Sequence, residues 1–291
     1  MAILKAEEAG KLFPIFEGRA GRVLFRVLAR VTGVDKLNAL EDRLQASGHE
    51  GPAAAEFALQ DLGIDYAIGN PERLLSLPEG PFITISNHVY GHVDGIILVD
   101  LIGHQREDLK VMVNAFLLKI RELAPSFIGV NPTIKGSTGP TPQSISGVKL
   151  ALQHLRGGGA LHLFPSGAVS DLKPRERWII RDREWQDPAI RLIQKAGVPV
   201  VPLHFLDRNS LFYYSLGLIE YRVRLTRLLH EMFNKRGTHP RVVVGETIPA
   251  EVIAGMQDLS QLKAFLRESV YGMPVPDRFT LRSGCPGFTQ A

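Results

Sequence analysis

The sequence has 291 residues, 45% of them hydrophobic, with one cysteine and a formal net charge of +4. That length suits one large domain with a substantial core, while the lone Cys285 excludes an internal disulfide framework and fits a reducing compartment. The charge is too slight to imply a nucleic-acid partner and no apolar run is long enough to span a bilayer; the opening MAILKAEEAGKLFPIF also lacks a basic-then-hydrophobic signal layout.

Residues 1–70 read as helical. In RAGRVLFRVLARV, Arg19, Arg22, Arg26 and Arg30 recur at helical spacing and fall in one sector, while Leu24, Val27, Leu28 and Val31 point broadly the other way. Such a basic amphipathic helix either lies on an anionic membrane surface or packs on its own domain with solvated arginines. DKLNALEDRLQASG and PAAAEFALQDLGI follow, with GHEGP as the turn between them. From residue 80 short β-rich runs alternate with helical stretches. Strands are expected at 82–86, 110–114, 127–130, 160–164, 198–205 and 241–245, and helices near 94–105, 115–123, 142–156, 188–196, 218–235 and 258–271.

This alternation predicts an α/β fold with a mixed, largely parallel central sheet flanked by helices and an N-terminal helical appendage. The expected division is a helical, membrane-contacting region at 1–75, a catalytic domain at 76–272 and a flexible tail at 273–291. Ligands of such sheets bind outside the carboxyl ends of the strands. The run FITIS delivers Asn87 and His88 there, and ALHLF delivers Pro165, Ser166 and Gly167.

In PFITISNHVYGHVDGIILVDLI, two histidines, His88 and His92, and an aspartate, Asp94, stand between two apolar elements. His88 can act as a base if Asp94 fixes its tautomer and stabilises its cation, provided the chain turns at Gly91. Asp94 also suits the first turn of the following helix, and capping alone would explain it. A metal site built from His88, His92 and Asp94 is a third possibility, although Gly91 beside a strand end disfavours the helix that this spacing needs. Ser166 as a nucleophile lacks the first glycine of a Gly-x-Ser-x-Gly elbow.

Three motifs in order resemble the glycerolipid (lysophospholipid, 1-acylglycerol-3-phosphate) acyltransferase family. Asn87-His88 with Asp94 is similar to its Asn-His-x-x-x-x-Asp motif. Phe164-Pro165-Ser166-Gly167 with Ser170 is similar to Phe-Pro-Glu-Gly-x-x-Ser, and Val198-Pro199-Val200-Val201-Pro202 to its later Val-Pro strand. The form Asn-His-x-x-Gly-x-x-Asp-Gly, the approach LPEGPFITISNH and the stretch 207–237 resemble a bacterial, hemolysin-like subgroup whose implied acceptors include amino-acid-containing lyso-lipids. The chain departs from the family in three places. One extra residue separates His88 from Asp94, Ser166 replaces a glutamate, and no arginine stands beside Ser170 or in FIGVNPTIK, where Lys135 is nearest. The missing glutamate and arginines argue against lysophosphatidic acid as acceptor, unless Arg175, Arg177 and Arg181 compensate, and the extra residue is the ground for weighing a catalytically inactive relative.

The resemblance implies an O-acyltransferase of membrane lipid biosynthesis that moves a fatty acyl chain from acyl carrier protein or coenzyme A to a lyso-lipid hydroxyl. His88 and Asp94 would be catalytic. Asn87, Phe164, Pro165, Ser166, Gly167 and Ser170 would hold the substrate, with backbone N–H groups at Ser166-Gly167 steadying an oxyanion. The scheme needs no metal and no cofactor beyond the thioester. It makes the Arg19–Arg30 helix a peripheral contact on the cytoplasmic face of the membrane. The rivals are a catalytically inactive lipid- or acyl-carrier-binding protein and a metal-dependent hydrolase using His88, His92 and Asp94.

Overall fold

The computed structural model describes residues 33–131, 141–285 and 288. Arg19, Arg22, Arg26, Arg30 and Lys135 lie outside them. Helices α1 (Val34–Ser47) and α2 (Gly51–Leu62) come first, each ending on a glycine in the left-handed region, where no side chain resists the turn. The buried alanines 54, 55 and 58 of α2 let it approach α3 (His92–Gly103) closely, and Pro52 lies where a Cβ on Gly103 would be.

The core element is an eight-stranded sheet of β1 (Ala67–Gly69), β2 (Phe82–Ser86), β3 (Lys110–Asn114), β4 (Phe127–Val130), β5 (Ala160–Leu163), β8 (Val200–Phe205), β9 (Arg241–Val244) and β10 (Thr280–Leu281). Its order is β10-β1-β9-β8-β2-β5-β3-β4, parallel except where β10 meets β1 and β8 meets β9. All five residues of β2 are buried, as expected of a central strand covered on both faces. Phe82 faces a core shared with α1, α2 and α3. Ile83 and Ile85 face the other core, built with α4 (Pro142–Arg156), α5 (Asp187–Ala196) and α10 (Leu259–Tyr271). Between α5 and α10 lie α6 (Leu211–Ile219), α7 (Tyr221–Thr226), α8 (Leu228–Phe233) and α9 (Ala250–Gly255).

Several expectations need correction. The helix expected at 115–123 is instead a 3₁₀ turn over Ala115–Lys119, followed by a second at Ala124–Ser126 that carries Pro125. The single helix expected at 218–235 is broken into α6, α7 and α8: Glu220, extended at φ −155°, separates the first two, and a turn at Arg227 separates the last two. A two-stranded hairpin, β6 (Asp171–Lys173) and β7 (Ile179–Arg181), stands outside the main sheet. The division at 75/76 falls inside the fold, since β1 is paired on both sides within the sheet. The tail expected from 273 contributes β10, and Arg282 beyond it donates to buried Asp100 of α3.

Candidate active site

Adjacent strands β8, β2 and β5 end at the same edge and send three loops outward. At the end of β2, the Asn87 side chain completes one more rung toward β8. Its Nδ2 donates to Phe205 O at 2.8 Å and its Oδ1 accepts from Phe205 N at 2.8 Å. With its amide so used and only 2% of its surface exposed, Asn87 is a strut at the strand ends rather than a substrate contact.

His88 follows. The chain turns through Gly91 at φ +85°, where a side chain would strain the backbone and its Cβ, 2.9 Å from a Leu228 methyl, would have to displace that leucine. It then enters α3, whose first turn presents Asp94. Asp94 Oδ2 lies 2.8 Å from His88 Nδ1 and also accepts from Tyr90 N at 2.9 Å and Gly91 N at 3.1 Å. Capping and pairing are therefore done by one oxygen, and the loop absorbs the extra residue. A carboxylate only accepts, so Nδ1 carries the hydrogen between the two groups, and the lone pair is left on Nε2. The imidazole is 17% exposed while Asp94 is fully enclosed. Reach to solvent and a fixed tautomer are the two properties a general base needs.

The second motif meets the first from β5. The Phe164 ring lies 4.0 Å, centroid to centroid, from the His88 imidazole at a 33° tilt, and meets His162 edge-on at 4.5 Å. His162 is buried with Nδ1 2.8 Å from Thr84 Oγ1, and burial holds its pKa well below the ordinary 6.5. Phe164 thus fixes one face of His88 by packing. Pro165 is buried, and its carbonyl accepts from Gln186 N. Ser166 turns its hydroxyl back to Ala168 O at 2.7 Å, and the Gly167 N–H donates to Phe164 O at 3.0 Å. The expected oxyanion donor at Gly167 is therefore already committed. Ser170 is wholly buried; its N–H donates to His88 O at 2.7 Å and its hydroxyl to Asp182 Oδ1 at 2.6 Å. These three residues form the turn and its anchorage, with their polar groups spent inside the protein.

Asp182 and Arg224 were not anticipated. Asp182 Oδ1 also accepts from His88 N at 3.1 Å and Oδ2 from Trp185 Nε1 at 3.1 Å, so one carboxylate ties the two motif loops together. Burial raises its pKa, against the pull of the Ser170, His88 and Trp185 donors. Arg224, fully buried on α7, donates to Ser170 O at 2.9 Å and Val169 O at 3.2 Å and pairs with Asp171 at 2.8 Å. On the β8 side, Asn209 Nδ2 donates to Val89 O and Tyr90 O, and the Tyr214 hydroxyl to Val89 O at 3.1 Å. The loop carrying His88 is gripped from three directions.

His92 opens α3 with Nδ1 buried and unbonded among the described residues; burial and nearby His88 lower its pKa to about 4. It does not join His88 and Asp94 as a ligand. Among the described residues, the set of three donor atoms within 4.8 Å of one another is Glu56, Asp100 and His104, and the Arg282 guanidinium already bridges the two carboxylates. Arg175 and Arg177 are exposed on the hairpin, and Arg181 lies 4.4 Å over the Tyr271 ring. A cavity of about 240 Å³ between the hairpin and α6–α7 is lined by Asp171, Lys173, Arg183, Tyr214, Gly217 and Arg224.

The profile of the family described as Acyltransferase matches residues 49–274. A lyso-glycine lipid O-acyltransferase from Bacteroides thetaiotaomicron is 30% identical over 200 residues, covering 66% of this chain and 70% of its own length. One of the same name from Phocaeicola vulgatus is 30% identical over 206 residues, covering 68% and 70%. The crystal structure of the 1-acyl-sn-glycerophosphate (LPA) acyltransferase PlsC from Thermotoga maritima aligns over 92% of this chain and 91% of its own, with a TM-score of 0.46 and 15% identity.

Proposed function

The chain belongs to the acyltransferase family, and from that premise we infer that it transfers a fatty acyl group from an acyl carrier protein or coenzyme A thioester to the hydroxyl of a lyso-lipid. The acceptor is a lyso-aminolipid rather than lysophosphatidic acid. Both curated relatives carry the name lyso-glycine lipid O-acyltransferase, and the phosphate-binding arginines of the resembled family are absent beside Ser170 and in FIGV.

The observation that carries the mechanism is the 2.8 Å contact of His88 Nδ1 with Asp94 Oδ2 at the carboxyl edge of the sheet. His88 Nε2 takes the proton of the acceptor hydroxyl as its oxygen attacks the thioester carbonyl. The tetrahedral adduct collapses by breaking the C–S bond, and the leaving sulfur recovers the proton from the imidazolium. Asp94 steadies the cation between these steps. General-base assistance of this type contributes about 10²–10⁴-fold. No covalent enzyme intermediate is required.

A lipid acceptor and product place the enzyme at a membrane surface, on the cytoplasmic side where acyl thioesters are available, as a step of membrane lipid biosynthesis. None of the described helices is long and apolar enough to cross a membrane.

The test is acyl transfer by purified protein, with labelled acyl carrier protein or acyl-CoA offered against lyso-glycine lipid and lysophosphatidic acid. Wild type should label the aminolipid, and His88→Ala and Asp94→Asn should each lose at least about 10²-fold while remaining folded. Undiminished transfer by His88→Ala would sink the mechanism.

A further inference from the structure

We propose that the outer face of α6, together with the tip of the β6–β7 hairpin, is a membrane-docking surface that seats the His88 loop against a bilayer bearing anionic head groups. The proposal rests on the lipid acceptor inferred above for its purpose, and on the following observations for its location.

A helix lying on a water-facing surface turns polar residues outward. The helix α6 does the reverse. Leu211, Phe212, Leu218 and Ile219 are exposed by 59, 56, 47 and 81%, with only Ser215 among them on that face, whereas Tyr213 and Tyr214 point inward and are buried. Leu225 on α7 is also exposed. The hairpin packs against α6 and carries Trp178 at its tip, 65% exposed, with Ile179 beside it. Arg177 and Trp178 both take positive φ, 60° and 61°, a conformation that is costly for a bulky aromatic. The turn thus spends conformational energy to hold an indole in the solvent.

The surrounding charge fits an anionic surface. Segment 171–181 carries four basic residues against two acidic ones, and Arg175 and Arg177 are exposed. The Arg227 guanidinium lies 5.1 Å over the Phe212 ring. Aromatic and leucine side chains framed by arginines suit the head-group boundary, where the rings enter the interface and the cations meet lipid phosphates.

The face is continuous with the site. Both segments leave the sheet at its carboxyl edge, after β5 and β8. The inner side of α6 holds the His88 loop through the Tyr214 hydroxyl on Val89 O, and Asn209 just before the helix holds Val89 and Tyr90. A helix seated in the interface by its outer face therefore brings the catalytic loop to the level of a lyso-lipid hydroxyl.

The two tryptophans make the test specific, because Trp185 is only 1% exposed and serves as an internal constant. Full-length protein is mixed with vesicles of equal parts phosphatidylethanolamine and phosphatidylglycerol, containing neither lyso-lipid nor acyl donor, so the result does not depend on acyl transfer. Tryptophan emission should shift to the blue, and Trp178→Phe should abolish the shift. Phe212→Ser with Ile219→Ser should weaken partition about tenfold or more, and added salt should weaken wild-type binding. Thermal unfolding of each variant checks that it is folded. Vesicle binding without a Trp178 response, or partition unaltered in the Phe212/Ile219 variant, overturns the proposal. So does binding lost only when Arg19, Arg22, Arg26 and Arg30 are changed to Glu, which would move the contact to the N-terminal segment. A concentration-dependent emission shift without vesicles also overturns it, in favour of a second copy of the chain.

Discussion

Removing the Asp182 carboxylate asks whether the His88 loop is held from behind by that one group. Three buried donors converge on it: His88 N at 3.1 Å, Ser170 Oγ at 2.6 Å and Trp185 Nε1 at 3.1 Å. Asp182→Ala leaves them unmet, at about 1–3 kcal/mol for each buried group that finds no other partner. The Ser170 hydroxyl can rotate away, and relief of the buried charge returns part of the cost. A net loss of about 3 kcal/mol in unfolding free energy follows. Asp182→Asn keeps the volume and can still accept from His88 N and Ser170 Oγ. Its amide then meets the Trp185 N–H donor to donor, for a loss of about 1–2 kcal/mol. A displacement of the His88 backbone by about 1 Å costs on the order of 10² in rate. The Ala variant should therefore lose kcat about 100-fold with KM for the lyso-lipid little changed. Guanidinium unfolding followed by tryptophan emission gives the stability, and initial rates on the folded fraction give kcat and KM. A protein lacking this carboxylate yet as stable as wild type, or folded with kcat intact, would refute the positioning role.

Asn87→Asp keeps an acceptor for Phe205 N but cannot donate to Phe205 O and buries a charge, so about 2–4 kcal/mol of stability should be lost, read as a lower urea midpoint. Arg282→Ala strips buried Asp100 of its guanidinium partner, leaving the Tyr66 hydroxyl and His104 near it; about 3 kcal/mol should be lost, visible as a lower melting temperature. Burial lowers the pKa of His162 well below 6.5 and that of His92 to about 4. The unfolded chain therefore binds more protons than the native one as pH falls below 6.5 toward about 4, and stability drops by about 1.4 kcal/mol per pH unit for each such histidine. Asp100 and Asp182, whose pKa values burial raises, tilt the curve the opposite way, their contribution being lost as pH rises from 3.8 through the folded values. The histidine term is thus the difference between wild type and His162→Gln, whose pH profile should be flatter; equal slopes would count against a neutral, buried His162.

The strands β2, β3 and β4 were legible because FITIS, KVMVN and FIGV are largely apolar runs closed by polar, Gly or Pro residues, and their bounds match, although only β2 is buried throughout. Helices α4 and α10 were legible from their periodicity. The strands β1 and β10 carry no such signal. With three and two residues they exist only through pairing with each other and with β9, far away in the chain. The same distinction runs through the site. The His88–Asp94 pair is local and could be read from spacing, whereas Asp182 lies 94 positions from His88 and Arg224 is 54 from Ser170. Motif similarity singles out Asn87, Ser166 and Ser170, but it carries no information on where a side chain points. All three turn inward.

The place of β1 in the sheet has a consequence for how the protein is made. Among the described residues it is the first strand in the chain, yet its parallel neighbour begins at Arg241 and its antiparallel one at Thr280. At about 5–20 residues per second, the backbone of β1 waits on the order of ten seconds before either of its strand partners has been made, although α1, α2 and α3 can already pack on Tyr66 and Ile68. During that interval α3, which carries Asp94, also lacks the Arg282 partner of its Asp100. The nascent chain therefore presents a sticky, unclosed sheet margin for most of its synthesis, and a holdase acting on residues 60–70 would raise the yield of active enzyme without touching the finished fold.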